Sequence, residues 1–187
     1  LENSMSHYYF ALSPDDVSKR GFPMRVWFVG ILFAVGVFLY LYKGFSTKEN
    51  LALNFAGIFA LGVAVFPMGS DCVKDCQPFS AHGACAVALF LCIAFVSLFC
   101  AKETLHLLKD EQLKARYLMR YRALGLLMIA SPLVALALTL LVNDFKKYVF
   151  FIESAGVWAF SFYWWTKSQE MAHSGAEKKA LAGELRT

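Results

Sequence analysis

Five apolar stretches, cut apart by short charged loops, constrain this chain more than any other feature. They fall at residues 24–43, 51–68, 81–101, 123–143 and 148–166. Each is close to the ~17–25 residues a helix needs to cross the hydrocarbon core of a bilayer. Backbone polar groups in lipid must be satisfied inside the segment, so each stretch is expected to be a helix. The expected fold is therefore an all-α polytopic transmembrane bundle. It comprises an extracytoplasmic segment 1–23, a five-span domain 24–166 and a cytoplasmic tail 167–187.

Composition points the same way. The 187 residues are 58% hydrophobic and only 17% charged, with a mean hydropathy of +0.51, which departs from a water-soluble domain in the direction of membrane spans. The spans use most of the chain, so any function resides in the bundle, its loops or its short ends. The net charge of +4 is spread over loops instead of forming a basic stripe, which argues against nucleic acid as a partner. Membrane lipids are the expected surroundings. Neither the oligomeric state nor a cofactor is specified.

Several local signals refine the bundle. Trp27 at one end of the first stretch and Tyr40 and Tyr42 at the other, with Tyr163, Trp164 and Trp165 closing the last, fit interfacial aromatic belts. Ala56, Ala60 and Ala64, and Ala84 and Ala88, recur at the four-residue spacing that lets helices approach closely. Pro132 predicts a kink in the fourth span, and Pro67 predicts the end of the second. The stretch 102–122 mixes Leu and Tyr with Lys and Arg, as in a helix lying at the interface or extending the third and fourth spans. The tail from Gln169 is expected to be a solvated or frayed helix.

Twelve of the eighteen Lys and Arg residues lie on the side of the loops 44–50 and 102–122 and the tail, counting Lys43. The positive-inside rule then places the C-terminus in the cytoplasm and the N-terminus of this chain outside. An outer N-terminus beginning at Leu1 predicts either a trimmed chain or a further span ahead of it.

The candidate site lies on the outer side. Asp71 and Asp75 follow the second span, His82 opens the third, and Glu153 lies just inside the fifth. An ionisable residue within a span is costly and by default marks a functional site facing the bundle interior. Asp71, His82 and Glu153 are thus the ligand-binding candidates, lining an outward-facing polar vestibule. The same three are the candidates for metal ligands, or for an acid and base in a hydrolase. Ser70 and Ser80 are placed to add a hydroxyl. This chemistry is superficially similar to that of the ceramidase-like transmembrane hydrolases, but the spaced histidines of such a metal site are absent. The competing reading is structural, with His82 capping its helix or pairing with Asp71, and Glu153 bonding a neighbouring span.

Cys72 and Cys76 share an outer loop, where an oxidising compartment permits a disulfide. A metal site of Cys72, Cys76 and His82 is the sharper alternative. Cys85, Cys92 and Cys100 are expected to pack as small apolar residues. His7 lies near the same outer end, while His106 and His173 lie opposite. A haem would need paired axial ligands within the bundle, and only His82 lies at a span.

The phrases SMSHYYF at 4–10, FVGILFAVGVFLYLYKGF at 28–45, NFAGIFALGVAVFP at 54–67 and FIESAGVWAFSFYWWTK at 151–167, with His82, resemble a family of uncharacterised bacterial multi-span membrane proteins. That family is distantly similar to the DRAM/Sfk type. The resemblance implies a six-helix architecture whose first span would precede SMSHYYF, and a bacterial plasma membrane location. It implies no activity.

The leading functional expectation is a non-enzymatic membrane protein that binds or passes a lipid or small solute, or acts structurally. One alternative is an outer-leaflet lipid hydrolase using Asp71, His82 and Glu153. Another is a membrane-complex subunit or sensor whose partners bind 102–122.

Overall fold

A computed structural model describes residues 5–9, 24–66, 80–141 and 146–183, and all regular structure among them is helical. A 3₁₀ turn, Met5–Tyr9, precedes α1 (Arg25–Leu41), α2 (Thr47–Val65) and α3 (Ala81–Phe95). The last runs through a π-helical segment, Val96–Cys100, into the short α4 (Lys102–Leu105). After α5 (Glu111–Leu141) come α6 (Lys146–Ser174) and α7 (Ala176–Leu181).

The long helices run up and down, and chain neighbours pack on one another: α1 on α2, α2 on α3, α3 on α5 and α5 on α6. Phe38 and Tyr42 of α1 meet Trp164 of α6, with ring centroids 5.1 and 5.0 Å away. The bundle therefore has two distinct ends. At the turn end lie Met5–Tyr9, the last turn of α2 and the first turns of α3 and α6. At the loop end lie the start of α2, α4, the start of α5 and the last turns of α6.

The sequence explains where each helix begins. Ser46 and Ser80 are N-caps whose hydroxyls accept the N–H groups of Glu49 (3.2 Å) and Gly83 (3.1 Å), satisfying donors that a helix start otherwise leaves free. Gly175, at φ +63°, ends α6 in the left-handed conformation that glycine adopts without strain. Helix α5 continues through Pro132.

Close approach follows a somewhat different set of small residues from the one expected. Ala56, Ala60 and Ala64 are buried, whereas Ala84 is exposed. The tightest contact of α1 with α2 is at Gly57, where a Cβ would lie 2.6 Å from the Gly36 carbonyl oxygen. At such a distance only glycine fits.

Three helical stretches, Thr47–Val65, Ala81–Leu105 and Glu111–Leu138, are long and apolar enough to cross a membrane. The apolar α1 has 17 residues, about 25 Å at helical rise. Helix α6 has 29 residues, about 43 Å, but its middle is built largely of Trp, Tyr, Phe and Ser and it carries Glu153 and Lys167. The outer faces are strongly apolar. Trp27, Ile31 and Phe33 of α1, Leu126 and Leu133 of α5, and Trp158, Phe162 and Trp165 of α6 are all exposed. Large apolar side chains exposed on three helices fit a surface that faces lipid or a partner.

Candidate functional site

At the turn end, two of the three candidate residues meet the same short segment. Glu153 lies in the second turn of α6, partly buried, and its Oε2 accepts the backbone N–H of Met5 at 2.8 Å. His82, the second residue of α3, is 4% exposed. Its Nε2 lies 2.7 Å from the Ser6 hydroxyl, and its Nδ1 lies 2.8 Å from the carbonyl oxygen of Phe66, at the end of α2. Adjacent residues of one turn thus engage both the carboxylate and the imidazole.

Aromatic contacts hold that turn in place. Tyr8 packs on Phe150 of α6 with ring centroids 6.0 Å apart. Tyr9 meets Phe28 of α1 edge-on at 6.4 Å, and the Arg25 guanidinium lies 5.7 Å from the Tyr9 ring centroid. A cation over an aromatic face at this range is attracted by the ring quadrupole. The turn is pinned to α1 and α6 while its backbone and hydroxyl donors point at Glu153 and His82.

Among the described residues, the space beside His82 and Glu153 is occupied by Met5 and Ser6. Two grooves among the described residues lie elsewhere. One, of about 310 Å³, runs along Phe38, Tyr42, Trp164, Lys167 and Met171. The other, of about 380 Å³, runs between α2 and α3 along Lys48, Phe55, Leu91 and Phe95. Asp71, Asp75, Ser70, Cys72, Cys76 and Pro67 lie outside the described residues. Ser80 caps α3, and its hydroxyl accepts from Gly83. Among the described residues, no group of three or more His, Cys, Asp or Glu side chains is arranged to hold a metal ion. Cys85, Cys92 and Cys100 are free thiols within the α3 segment.

The loop end holds a second polar cluster that was not anticipated. Lys167 is 2% exposed and Glu170 is fully buried. The Lys167 ammonium donates to Thr104 Oγ1 at 2.7 Å and to Glu170 Oε2 at 3.1 Å, and it lies 5.4 Å from the Phe45 ring centroid. Tyr121 donates its hydroxyl to the same Glu170 oxygen at 2.9 Å. Glu49 is also buried, its Oε2 accepts the Phe45 N–H at 2.8 Å, and it feels the charges of Lys167, Glu103 and Glu170. Among the described residues, Glu170 Oε1 and Glu103 Oε2 are buried without a hydrogen-bond partner.

The π-helical segment contributes to this cluster. Its wider turn lets the Ser97 hydroxyl donate to the Tyr121 carbonyl at 2.8 Å, and both Thr104 and Leu105 beyond it are buried. Single π turns inside helices recur at functional and strained positions. The expected solvated tail is corrected as well: α6 continues to Ser174, and Glu170, Ser174 and Ala176 are buried. The cause is periodic, because Ala159, Tyr163, Lys167, Glu170 and Ser174 recur at three- and four-residue spacing along one inward face.

No family model matches the chain, and neither a curated protein nor a solved structure shows significant similarity to it.

Proposed function

We propose that the chain is an integral membrane protein whose turn end, at His82 and Glu153, binds a lipid or a small solute. The carrying observation is the pair of hydrogen bonds by which Met5 N–H and Ser6 O–H engage Glu153 and His82. One N–H and one hydroxyl, side by side, is also what a polar headgroup carrying both an amide and a free hydroxyl presents. Such a ligand docks beside the turn and shares Glu153 and His82 with it.

The membrane reading is supported by the three long apolar helices and the apolar outer faces. It extends to five spans, with α1 and α6 as the remaining two. The reading includes membership of an uncharacterised bacterial multi-span family distantly similar to the DRAM/Sfk type, on the phrases quoted above. The surplus of Lys and Arg at the loop end supports a cytoplasmic C-terminus. Removing the buried Lys167 from that count still leaves the loop end the more basic.

The test is a titration of the full chain in nanodiscs with fluorescent lipids differing in headgroup. Saturable binding weakened severalfold in Glu153→Gln, with the fold intact, is the expected result. Equal binding by both proteins contradicts the reading.

A further inference from the structure

We propose that Ser6 and His82 form a nucleophile and general base that cleave the acyl ester of a lipid at the turn end. The inference rests on the binding reading above, because the ester has to reach the place where the turn meets α3 and α6.

The imidazole tautomer is set by its neighbours. The Phe66 carbonyl oxygen, 2.8 Å from Nδ1, can only accept, so in the neutral ring the proton sits on Nδ1. That leaves Nε2 bare, and the Ser6 hydroxyl donates to it at 2.7 Å. This is the tautomer a general base requires, fixed by a hydrogen bond on the far nitrogen. The ring has little freedom to turn, since His82 is 4% exposed and belongs to the first turn of α3. The hydroxyl is similarly placed by its neighbours, with Tyr8 on Phe150 and Tyr9 on Phe28. Glu153, bonded to the Met5 N–H, is a positioning residue that holds the backbone one residue before the nucleophile.

The chemistry closes with water as the only co-reactant. Ser6 Oγ attacks the ester carbonyl carbon while its proton passes to His82 Nε2. Collapse breaks the bond from that carbon to the alcohol oxygen, and the departing alcohol takes the proton from Nε2. Water, deprotonated by the same nitrogen, then attacks the acyl–Ser6 ester. The carboxylic acid leaves, and the proton returns to Ser6 Oγ. The substrate class follows from location. The dyad sits at the end of a bundle with apolar outer faces, where an ester at the headgroup boundary of a lipid is within reach.

A fluorophosphonate probe tests this on the full chain in phosphatidylcholine and phosphatidylglycerol nanodiscs, with the adduct mapped by peptide mass spectrometry. The expected result is an adduct on Ser6, absent in Ser6→Ala and formed about a hundredfold or more slowly in His82→Gln. Ser161→Ala, whose hydroxyl is exposed and bonded to the Val157 carbonyl, should label as the parent does. Thermal unfolding of Ser6→Ala and His82→Gln in the same nanodiscs controls for folding, because each variant should still unfold cooperatively. A folded parent chain with no Ser6 adduct and no fatty-acid release from a fluorogenic ester overturns the inference. Lipid titration of the same nanodiscs separates the two claims. Retained binding without an adduct removes the nucleophile alone, whereas loss of both removes the binding reading too.

Discussion

The two ends of the bundle hold polar groups in opposite ways. At the loop end, Lys167 and Glu170 lie on one helix three residues apart, sealed from solvent, and Tyr121 and Thr104 reach them from α5 and α4. At the turn end, His82 and Glu153 belong to different helices and are engaged by a five-residue turn. The first arrangement joins elements that cannot separate without unfolding. The second depends on a short segment whose removal leaves the bundle's helix contacts in place. Burial alone therefore does not tell the two ends apart. What distinguishes the turn end is that its polar groups are met by a short segment outside the long helices.

The sharpest way to break this comparison is to remove the buried cation. Lys167→Met leaves Glu170 and Glu49 without it, and stripping one partner from a buried pair costs about 3–5 kcal/mol. Thermal unfolding in detergent should show the largest loss of any variant considered, and unchanged stability would mean that the cluster is not structural. Replacing the pair together, Lys167→Met with Glu170→Leu, should recover much of the loss, since apolar substitutes of similar size can equal a buried ion pair.

A smaller effect is expected from Tyr121→Phe, which removes one hydrogen bond to a charged group and costs about 1.5–3 kcal/mol. Smaller again is Tyr9→Ala, which loosens the docking of the turn. Losing the cation–π contact with Arg25 at a partly open site is worth about 0.5–1 kcal/mol. Hydrogen exchange at the turn should quicken with little change in global stability, and a large drop in unfolding temperature would show that the turn is part of the core after all. Lys114→Ala, at the exposed pair with Glu111, sets the floor at about 0.5 kcal/mol or less.

The helices were legible because membrane spans are written in long apolar runs, and residues 24–43, 51–68 and 81–101 overlap α1, α2 and α3 closely. The loop-end cluster was hidden by the same logic. Hydropathy ends the last span at Thr166, so Lys167 and Glu170 read as the start of a polar tail. Their signal was periodic, continuing the face of Ala159 and Tyr163 into charged residues. His82 and Glu153 stood out because ionisable residues at spans are rare. Ser6 did not, because SMSHYYF carries no helical period and a serine there looks like any loop residue. Only the fold brings it to an imidazole 76 positions away. Fourteen residues separate Glu153 from Lys167 on α6, about 21 Å, so two polar sites on one helix serve opposite ends.

The central claim is that ligand binding resides at the turn end and structural cohesion at the loop end. Its most direct test is one paired measurement, lipid titration and thermal unfolding of Glu153→Gln and Tyr121→Phe in identical nanodiscs. The amide oxygen of Gln can still accept the Met5 N–H, so Glu153→Gln should unfold within about 1 kcal/mol of the parent yet bind lipid severalfold more weakly. Tyr121→Phe should bind as the parent does and unfold earlier. If both properties fall together in either variant, or if Tyr121→Phe is the one that loses binding, the division between the two ends is wrong.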